Sequence, residues 1–325
     1  MSVLVTGGAG YIGSVAVEQL VAAGERVVVL DNLSTGYRAA VDPGAEFVEG
    51  SILDRALVGH VLRDHDVDTV MHFAAFIVVS ESCANPAKYF ENNLTGALSV
   101  LGAMVETGVQ RFILSSTAAV YGDPDTVPIT EDMPTRPKNP YGLSKRMVEQ
   151  ALEWYNEAYG LRSVALRYFN ACGASAVHGE AHRPESHLIP NILMAADGAR
   201  DRITVYGRDY ATPDGTCIRD YIHILDLADA HRLAMQYLRN GGASARLNLG
   251  NSIGHSVLEV IQSVERVTGK KVPVVFGERR PGDADRLVAS SEKARRLLGW
   301  NPVRGDIDVI VRDACTWRQQ HPKGY

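Results

Sequence analysis

Through its first half the chain alternates short apolar runs with longer amphipathic stretches. Apolar runs near 2–6, 26–31, 45–49, 68–73, 111–115 and 162–167 predict strands, and the periodic stretches near 11–23, 54–63, 86–107 and 140–159 predict helices. Each helix is long enough for a right-handed crossover, so the alternation predicts an α/β fold with a parallel, doubly wound sheet. After Asn170 the rhythm loosens into polar loops at 173–186 and 207–218 and shorter helices near 188–197, 226–239, 256–268, 291–298 and 306–320. A smaller second α/β domain is expected there. The division falls at 1–168 and 169–325, soft enough that elements can cross it.

The helix from Pro140 carries two apolar stripes. One runs through Val148, Leu152, Tyr155 and Tyr159, the other through Met147, Ala151, Trp154 and Ala158. One stripe can face the sheet. The other needs a second cover, supplied either by the 86–107 helix or by the same helix of a symmetric partner; a homodimer is the partner expected.

Between the first strand and first helix lies Thr6–Gly13, TGGAGYIG. Its glycines satisfy GxGxxG (Gly8, Gly10, Gly13) and GxxGxxG (Gly7, Gly10, Gly13) together. Glycine lets the backbone turn tightly and approach a pyrophosphate, whose charge meets free N–H groups at a helix N-terminus. The second strand ends in Asp31, eighteen residues after Gly13, where an acid can accept both ribose hydroxyls and repel a 2'-phosphate. This predicts a Rossmann-type site for NAD rather than NADP.

Composition narrows the remaining choices. With 325 residues, 46% of them hydrophobic, the chain can bury a large core. A net charge of -5 argues against general binding to nucleic acid or to a membrane surface, and no apolar run is long enough to span a bilayer. An anionic substrate therefore needs locally placed arginines. Cys83, Cys172, Cys217 and Cys315 are scattered without a CxxC pair, and a core strand begins at once with no leader before it; a reduced, cytoplasmic protein is expected.

Tyr141 and Lys145, four apart at the start of the 140–159 helix, project from one face. A free phenol titrates near pKa 10 and is a poor base at neutral pH. A neighbouring ammonium, or the positive nicotinamide of an oxidised cofactor, favours the phenolate. Tyr141 can then take a proton from a substrate alcohol while NAD accepts hydride from the carbon beneath, with Lys145 also free to hold the nicotinamide ribose and Thr117 bonded to the same alcohol. The bland alternatives are a solvated helix face for the pair and strand-end hydrogen bonding for Ser115, Ser116 and Thr117.

The motifs TGGAGYIG, DNLSTG (31–36), HFAAF (72–76), SSTAAVYG (115–122), YGLSK (141–145), LRYFNACGA (166–174) and DGTCIRDYIHILDLADAH (214–231) resemble those of the extended short-chain dehydrogenase/reductase superfamily. Within it, the chain is similar over its full length to the UDP-glucose 4-epimerases. The resemblance implies a tightly held NAD that takes hydride from C4 of a UDP-hexose, a 4-keto sugar that turns over, and return of hydride to the other face. It implies Tyr141 as base with Lys145 and Thr117 as partners. It places Gly7, Gly10 and Gly13, with Tyr11, Ile12, Asp31, Asn32, Ser34, Thr35 and Gly36, on the adenosine and diphosphate half of the cofactor, with Ser51 and Ile52 near the adenine. Phe73, Ala74, Ala75, Asn93, Ser115 and Tyr168 would lie toward the nicotinamide, although Tyr168 could equally be core. For the UDP-sugar it implies Asn170 at the nucleotide sugar, Tyr206 over the uracil, Arg219 and Arg280 on the diphosphate, and Asp283 on the uridine ribose. The arginines' alternative role is ion pairing with Asp220 or Asp283.

Three positions depart from the family pattern. Ser51 stands where an aspartate is usual, Ile77 where some members carry a lysine, and Leu287 where side-chain bulk limits the group at C2 of the sugar. Acceptance of N-acetylated hexoses is left open. A 4,6-dehydratase would need an Asp-Glu pair after the threonine, where this chain has Ala118 and Ala119. A decarboxylase, or another nucleotide-sugar epimerase acting on a uronate, would need an extra cation, for which Arg183 is the candidate. A non-catalytic NAD-sensing regulator would have no need of Tyr141 or Lys145. His178, His182 and His187 share one loop, but no HExxH and no cysteine or carboxylate framework with ligand spacing is evident, so a polar loop closing over substrate is expected there rather than a metal site. His223 reads as structural.

Overall fold

The computed structural model describes residues 1–280 and 283–325. Seven parallel strands form the main sheet: β1 (Ser2–Thr6), β2 (Val27–Asp31), β3 (Glu46–Glu49), β4 (Val67–His72), β5 (Arg111–Thr117), β6 (Arg162–Tyr168) and β10 (Ala245–Leu249), in the order β10-β6-β5-β4-β1-β2-β3. The run 3-2-1-4-5-6 is the doubly wound order, whose crevice opens beside β1 where the winding reverses. Strands β1 to β6 match the expected runs, with β5 two residues longer, so that Ser115, Ser116 and Thr117 lie on the strand itself. The seventh strand comes from the second half of the chain and pairs with β6 from Ala245↔Val164 to Leu249↔Tyr168.

Both faces of the sheet are covered, which is why its strands are continuously apolar rather than alternating. α1 (Tyr11–Ala22) and α8 (Ile224–Arg239) cover one face around Val15, Leu20, Ala234 and Leu238. α2 (Arg55–Asp64), α5 (Gly96–Thr107) and α6 (Pro140–Tyr159) cover the other around Val58, Leu101, Val148 and Leu152. Arg239 near the end of α8 grips Asp68 at 2.7 Å and Glu25 at 2.8 Å, fixing that helix to the sheet. The expected helix 86–107 is present but not uniform: α4 (Pro86–Tyr89) runs into a wide turn over Phe90–Thr95 before α5 begins. Wide turns of this kind gather at functional positions, and Asn93 lies on this one.

The remainder of the second half has its own core. β7 (Asn170–Cys172), β9 (Ile218–His223), β11 (Gly254–Ser256) and β13 (Arg286–Leu287) make a small mixed sheet, and β8 (Ile203–Tyr206) pairs with β12 (Val274–Gly277). α7 (Leu188–Ala196), α9 (Val257–Thr268) and α11 (Ile307–Gln320) pack around Ile192, Val264 and Ile310. α9 starts on a capping box in which Ser256 and Glu259 satisfy one another's backbone N–H groups. These strands were not legible as a set, being mostly two to four residues long.

Candidate active site

The glycine loop sits where β1 meets α1, and its close contacts show why side chains are excluded. A Cβ on Gly7, whose φ is +74°, would lie 2.5 Å from the Ala74 nitrogen, and one on Gly13 would lie 2.2 Å from the Gly7 carbonyl oxygen. Both obstacles are backbone, so neither can move aside. Phe73 and Ala74 donate their N–H groups to the Thr6 carbonyl at 2.9 and 3.0 Å, drawing the β4 end against this loop. The Phe73 ring itself turns into the core, 4.6 Å from the His231 ring. The Tyr11 hydroxyl donates to the Gly173 carbonyl at 2.7 Å, so this residue ties the loop to the second half of the chain.

Asp31 ends β2 and is buried. Its two oxygens accept from the Ala9 and Leu33 N–H groups at 3.0 and 2.8 Å. Burial raises its carboxyl above the usual range, partly offset by these two bonds. Asn32, Ser34 and Thr35 line the following turn, where Asn32 accepts from the Ser34 N–H, and Gly36 approaches the Ala9 backbone too closely for any Cβ. Ser51 spends its hydroxyl on the Leu53 N–H. The Ile52 side chain is in the core against Gly96, leaving backbone for any adenine contact.

α6 begins on Asn139, whose side chain accepts from the Gly142 N–H at 2.8 Å, with Pro140 next. A Cβ on Gly142 would lie 2.6 Å from the Ala119 carbonyl oxygen. That glycine lets the turn after β5, which Thr117 caps by accepting from the Ala119 N–H at 3.1 Å, press on the first turn of α6 that carries Tyr141. Burial raises the Tyr141 phenol above its ordinary value and the Thr117 bond lowers it. Lys145 is buried and donates to the Ser115 carbonyl at 2.8 Å. Burial lowers its ammonium to about 8, with Glu149 opposing. Lys145 is thus engaged on the strand, and burial is the largest influence on Tyr141.

Other expected residues are accounted for differently. Asn93 spends both ends of its amide on Phe76, accepting from its N–H and donating to its carbonyl at 2.9 Å each. It shapes the Ala74–Phe76 loop rather than reaching into the crevice. Tyr168 is buried, its hydroxyl paired with that of Ser115. Asn170 donates to the Asp220 carbonyl at 3.0 Å. Arg219 pairs with Asp283 at 2.5 Å, and Tyr210 donates to the other oxygen of Asp283 at 3.1 Å. Thus one of the two suspected ion pairs exists. Asp220 is not a partner of Arg219: its buried carboxylate accepts from the Asn251, Ser252 and Ala289 N–H groups, and burial raises it to about 6. Arg280 lies over the Tyr206 ring at 4.0 Å, both beside this pair on the second lobe.

Several site-shaping residues escaped the sequence reading. Beneath Thr117, Ser116 donates to Glu149 at 2.6 Å, and Arg167 meets the same carboxylate through two bonds at 2.9 and 2.6 Å. Arg167 also donates to Tyr121, which donates to Asn248 on β10. An arginine inside an apolar strand, and a glutamate four residues beyond Lys145, were the available signals. The histidine loop also needs correction. Glu180 and Glu185 interleave with His182 and His187, and one ligand atom from each of the four lies within 4.8 Å of the others. The missing carboxylate framework is present, because the loop folds back on itself. His178 stands apart, bonded to Glu18 on α1 at 2.8 Å. His223 is structural as expected, accepting from the Leu225 N–H at the start of α8 and contacting Asp313.

Residues 3–250 match the model of the NAD dependent epimerase/dehydratase family. A UDP-glucose 4-epimerase of Streptococcus mutans is 51% identical over 100% of this chain and 99% of its own. The chain is a member of the UDP-glucose 4-epimerase family. A solved UDP-glucose 4-epimerase from Brucella ovis, in complex with NAD, superposes with a TM-score of 0.95 at 48% identity, covering 97% of this chain and 98% of that one. Another from Bifidobacterium longum, in complex with NAD+ and UDP, has a TM-score of 0.94 at 36% identity over 100% of both chains. Where a dehydratase would need its acid pair, this UDP-glucose 4-epimerase family member has Ala118 and Ala119, on the short turn that Thr117 caps. Arg183 leans on the Tyr37 ring and donates to the Lys323 carbonyl. It thereby engages the C-terminal segment.

Proposed function

We propose that this protein interconverts UDP-glucose and UDP-galactose at C4 of the hexose, with NAD as resident cofactor. The observation that carries the reading is that Thr117 at the end of β5, and Tyr141 with the buried Lys145 at the start of α6, lie at the same C-terminal ends of the parallel strands as the glycine loop, Lys145 being tied to the Ser115 carbonyl. The residues present fit NAD: the loop admits no side chain at Gly7 or Gly13, which leaves its backbone open to close approach at the start of α1. Gly7, Gly10, Tyr11, Ile12 and Gly13 would hold the diphosphate, Asp31 to Gly36 the adenosine, and Phe73 to Ala75, Ser115, Lys145 and Tyr168 the nicotinamide side. Bound there, NAD supplies an acceptor and then a donor for the hydride at C4.

The chain's own groups handle the proton. Thr117 and Tyr141 converge on the C4 hydroxyl, Thr117 orienting it and Tyr141 removing and later restoring its proton. Lys145, held by the Ser115 carbonyl, places a positive charge beside that exchange. On the far lobe, Arg219 and Arg280 bind the diphosphate, Tyr206 covers the uracil, Asn170 meets the nucleotide sugar and Asp283 accepts from the uridine ribose. For this, Arg219 and Asp283 exchange part of their mutual pairing for ligand contacts. We place cofactor holding in residues 1–168 and nucleotide-sugar binding in 169–325, with α8 and β10 returning to complete the first sheet.

No helix among the described residues is long and apolar enough to cross a membrane. The protein works in the cytoplasm, where its four cysteines stay as thiols, and as a homodimer. The dimer rests on α6: Leu143, Met147 and Trp154 remain exposed along one stripe, Trp154 by 68%, while Val148 and Leu152 are buried against the sheet. α5 does not cover that stripe. Purified protein incubated with UDP-galactose and no added nucleotide should release UDP-glucose, resolved by chromatography. A 4-keto-6-deoxy product, or no turnover even with NAD restored, overturns the assignment.

A further inference from the structure

The loop between β7 and α7 gathers four side chains that the reaction does not use. Glu180 Oε1 lies 3.1 Å from His182 Nδ1 and 2.5 Å from His187 Nδ1, and His187 Nδ1 lies 2.9 Å from Glu185 Oε1. Glu180 and Glu185 are largely shielded, with side chains 6% and 11% exposed. We propose that Glu180, His182, Glu185 and His187 form a binding site for one divalent transition-metal ion, zinc being the best chemical match. Two imidazoles with two carboxylates suit zinc, whose bonds of about 2.0–2.2 Å set ligand atoms about 3.3 Å apart in a tetrahedron. The three close spacings, 2.5, 2.9 and 3.1 Å, would open and the wider pairs, all within 4.8 Å, would close as the four side chains turn onto one ion. Both imidazoles present the same atom, Nδ1, to one carboxylate oxygen, so the donors converge rather than merely neighbour one another.

The backbone around the donors is fixed from outside. The Tyr37 hydroxyl donates to the Ala181 carbonyl at 2.7 Å, and within the loop the Ser186 and His187 N–H groups both donate to Glu185 Oε1 at 2.8 Å and orient that carboxylate. The His182 ring stands edge-on to Tyr11, 6.3 Å between centroids, so an ion here would brace the segment that seals the start of α1.

The test is equilibrium dialysis of the full chain against zinc chloride, in a Cys83→Ser background that removes the exposed thiol. One zinc per chain is expected, with Glu180→Gln and His182→Ala each weakening binding by about tenfold or more, and His60→Ala, an exposed histidine on α2, without effect. Zinc should raise the Tm of the parent and not of the two variants. Because a variant can misfold, cobalt(II) is also added to the parent, where intense tetrahedral d–d bands are expected. No stoichiometric zinc, binding unchanged in both variants, or only weak octahedral cobalt bands would overturn the site and leave the four residues as an ion-paired cluster.

Discussion

At the scale of single residues, the site depends on groups whose protonation is set by their surroundings. Tyr141 is a phenol raised by burial, an effect the Thr117 hydroxyl opposes. Tyr141→Phe should lower kcat by about 10²-fold or more, the range of a positioned general base, while leaving the fold and UDP affinity intact. A change confined to KM would show that another group is the base. In the histidine loop, burial by itself would lower His187, but the Glu180 carboxylate, with Glu185, raises it to about 10. A group raised above its ordinary value of 6.5 gives stability that is whole below that value and fades as pH climbs toward 10. In chelator, the urea midpoint of the wild type should therefore fall between pH 6.5 and 10 more steeply than that of Glu180→Gln. Parallel profiles would refute the pairing.

At the scale of elements, α6 does two jobs. Its first two turns carry Tyr141 and Lys145, and its outer stripe asks for a partner. Trp154→Glu should convert a dimer into a monomer, read by light scattering, with little loss of monomer stability because the side chain is already 68% exposed. A monomeric wild type would remove the dimer from the proposal. The stripe and the Tyr–Lys spacing were legible in the sequence because helical periodicity is local. Gly142's role was not, since its close neighbour is the Ala119 carbonyl on another segment. The wide turn at Phe90–Thr95 was hidden for a similar reason: Asn93 bonds Phe76, and nothing within the helix announces that.

At the scale of the whole molecule, a buried polar network joins α6, β5, β6 and β10 through Glu149, Ser116, Arg167, Tyr121 and Asn248. Glu149→Ala strands the Arg167 guanidinium in the interior and should cost about 3–5 kcal/mol of unfolding free energy, measured in urea. An effect below about 1 kcal/mol, the size of an exposed pair, would show that water reaches the network. The sequence by itself determined the alternating elements, the glycine loop with Asp31, and the residue types at the end of β5 and the start of α6, because these rest on periodicity, backbone freedom and spacing within short segments. Tertiary structure alone decided that β10 completes the first sheet, that Arg219 pairs with Asp283 rather than Asp220, that Lys145 anchors to Ser115, and that two glutamates close around two histidines. Each of those outcomes is a contact between groups whose distance in space the order of residues does not encode.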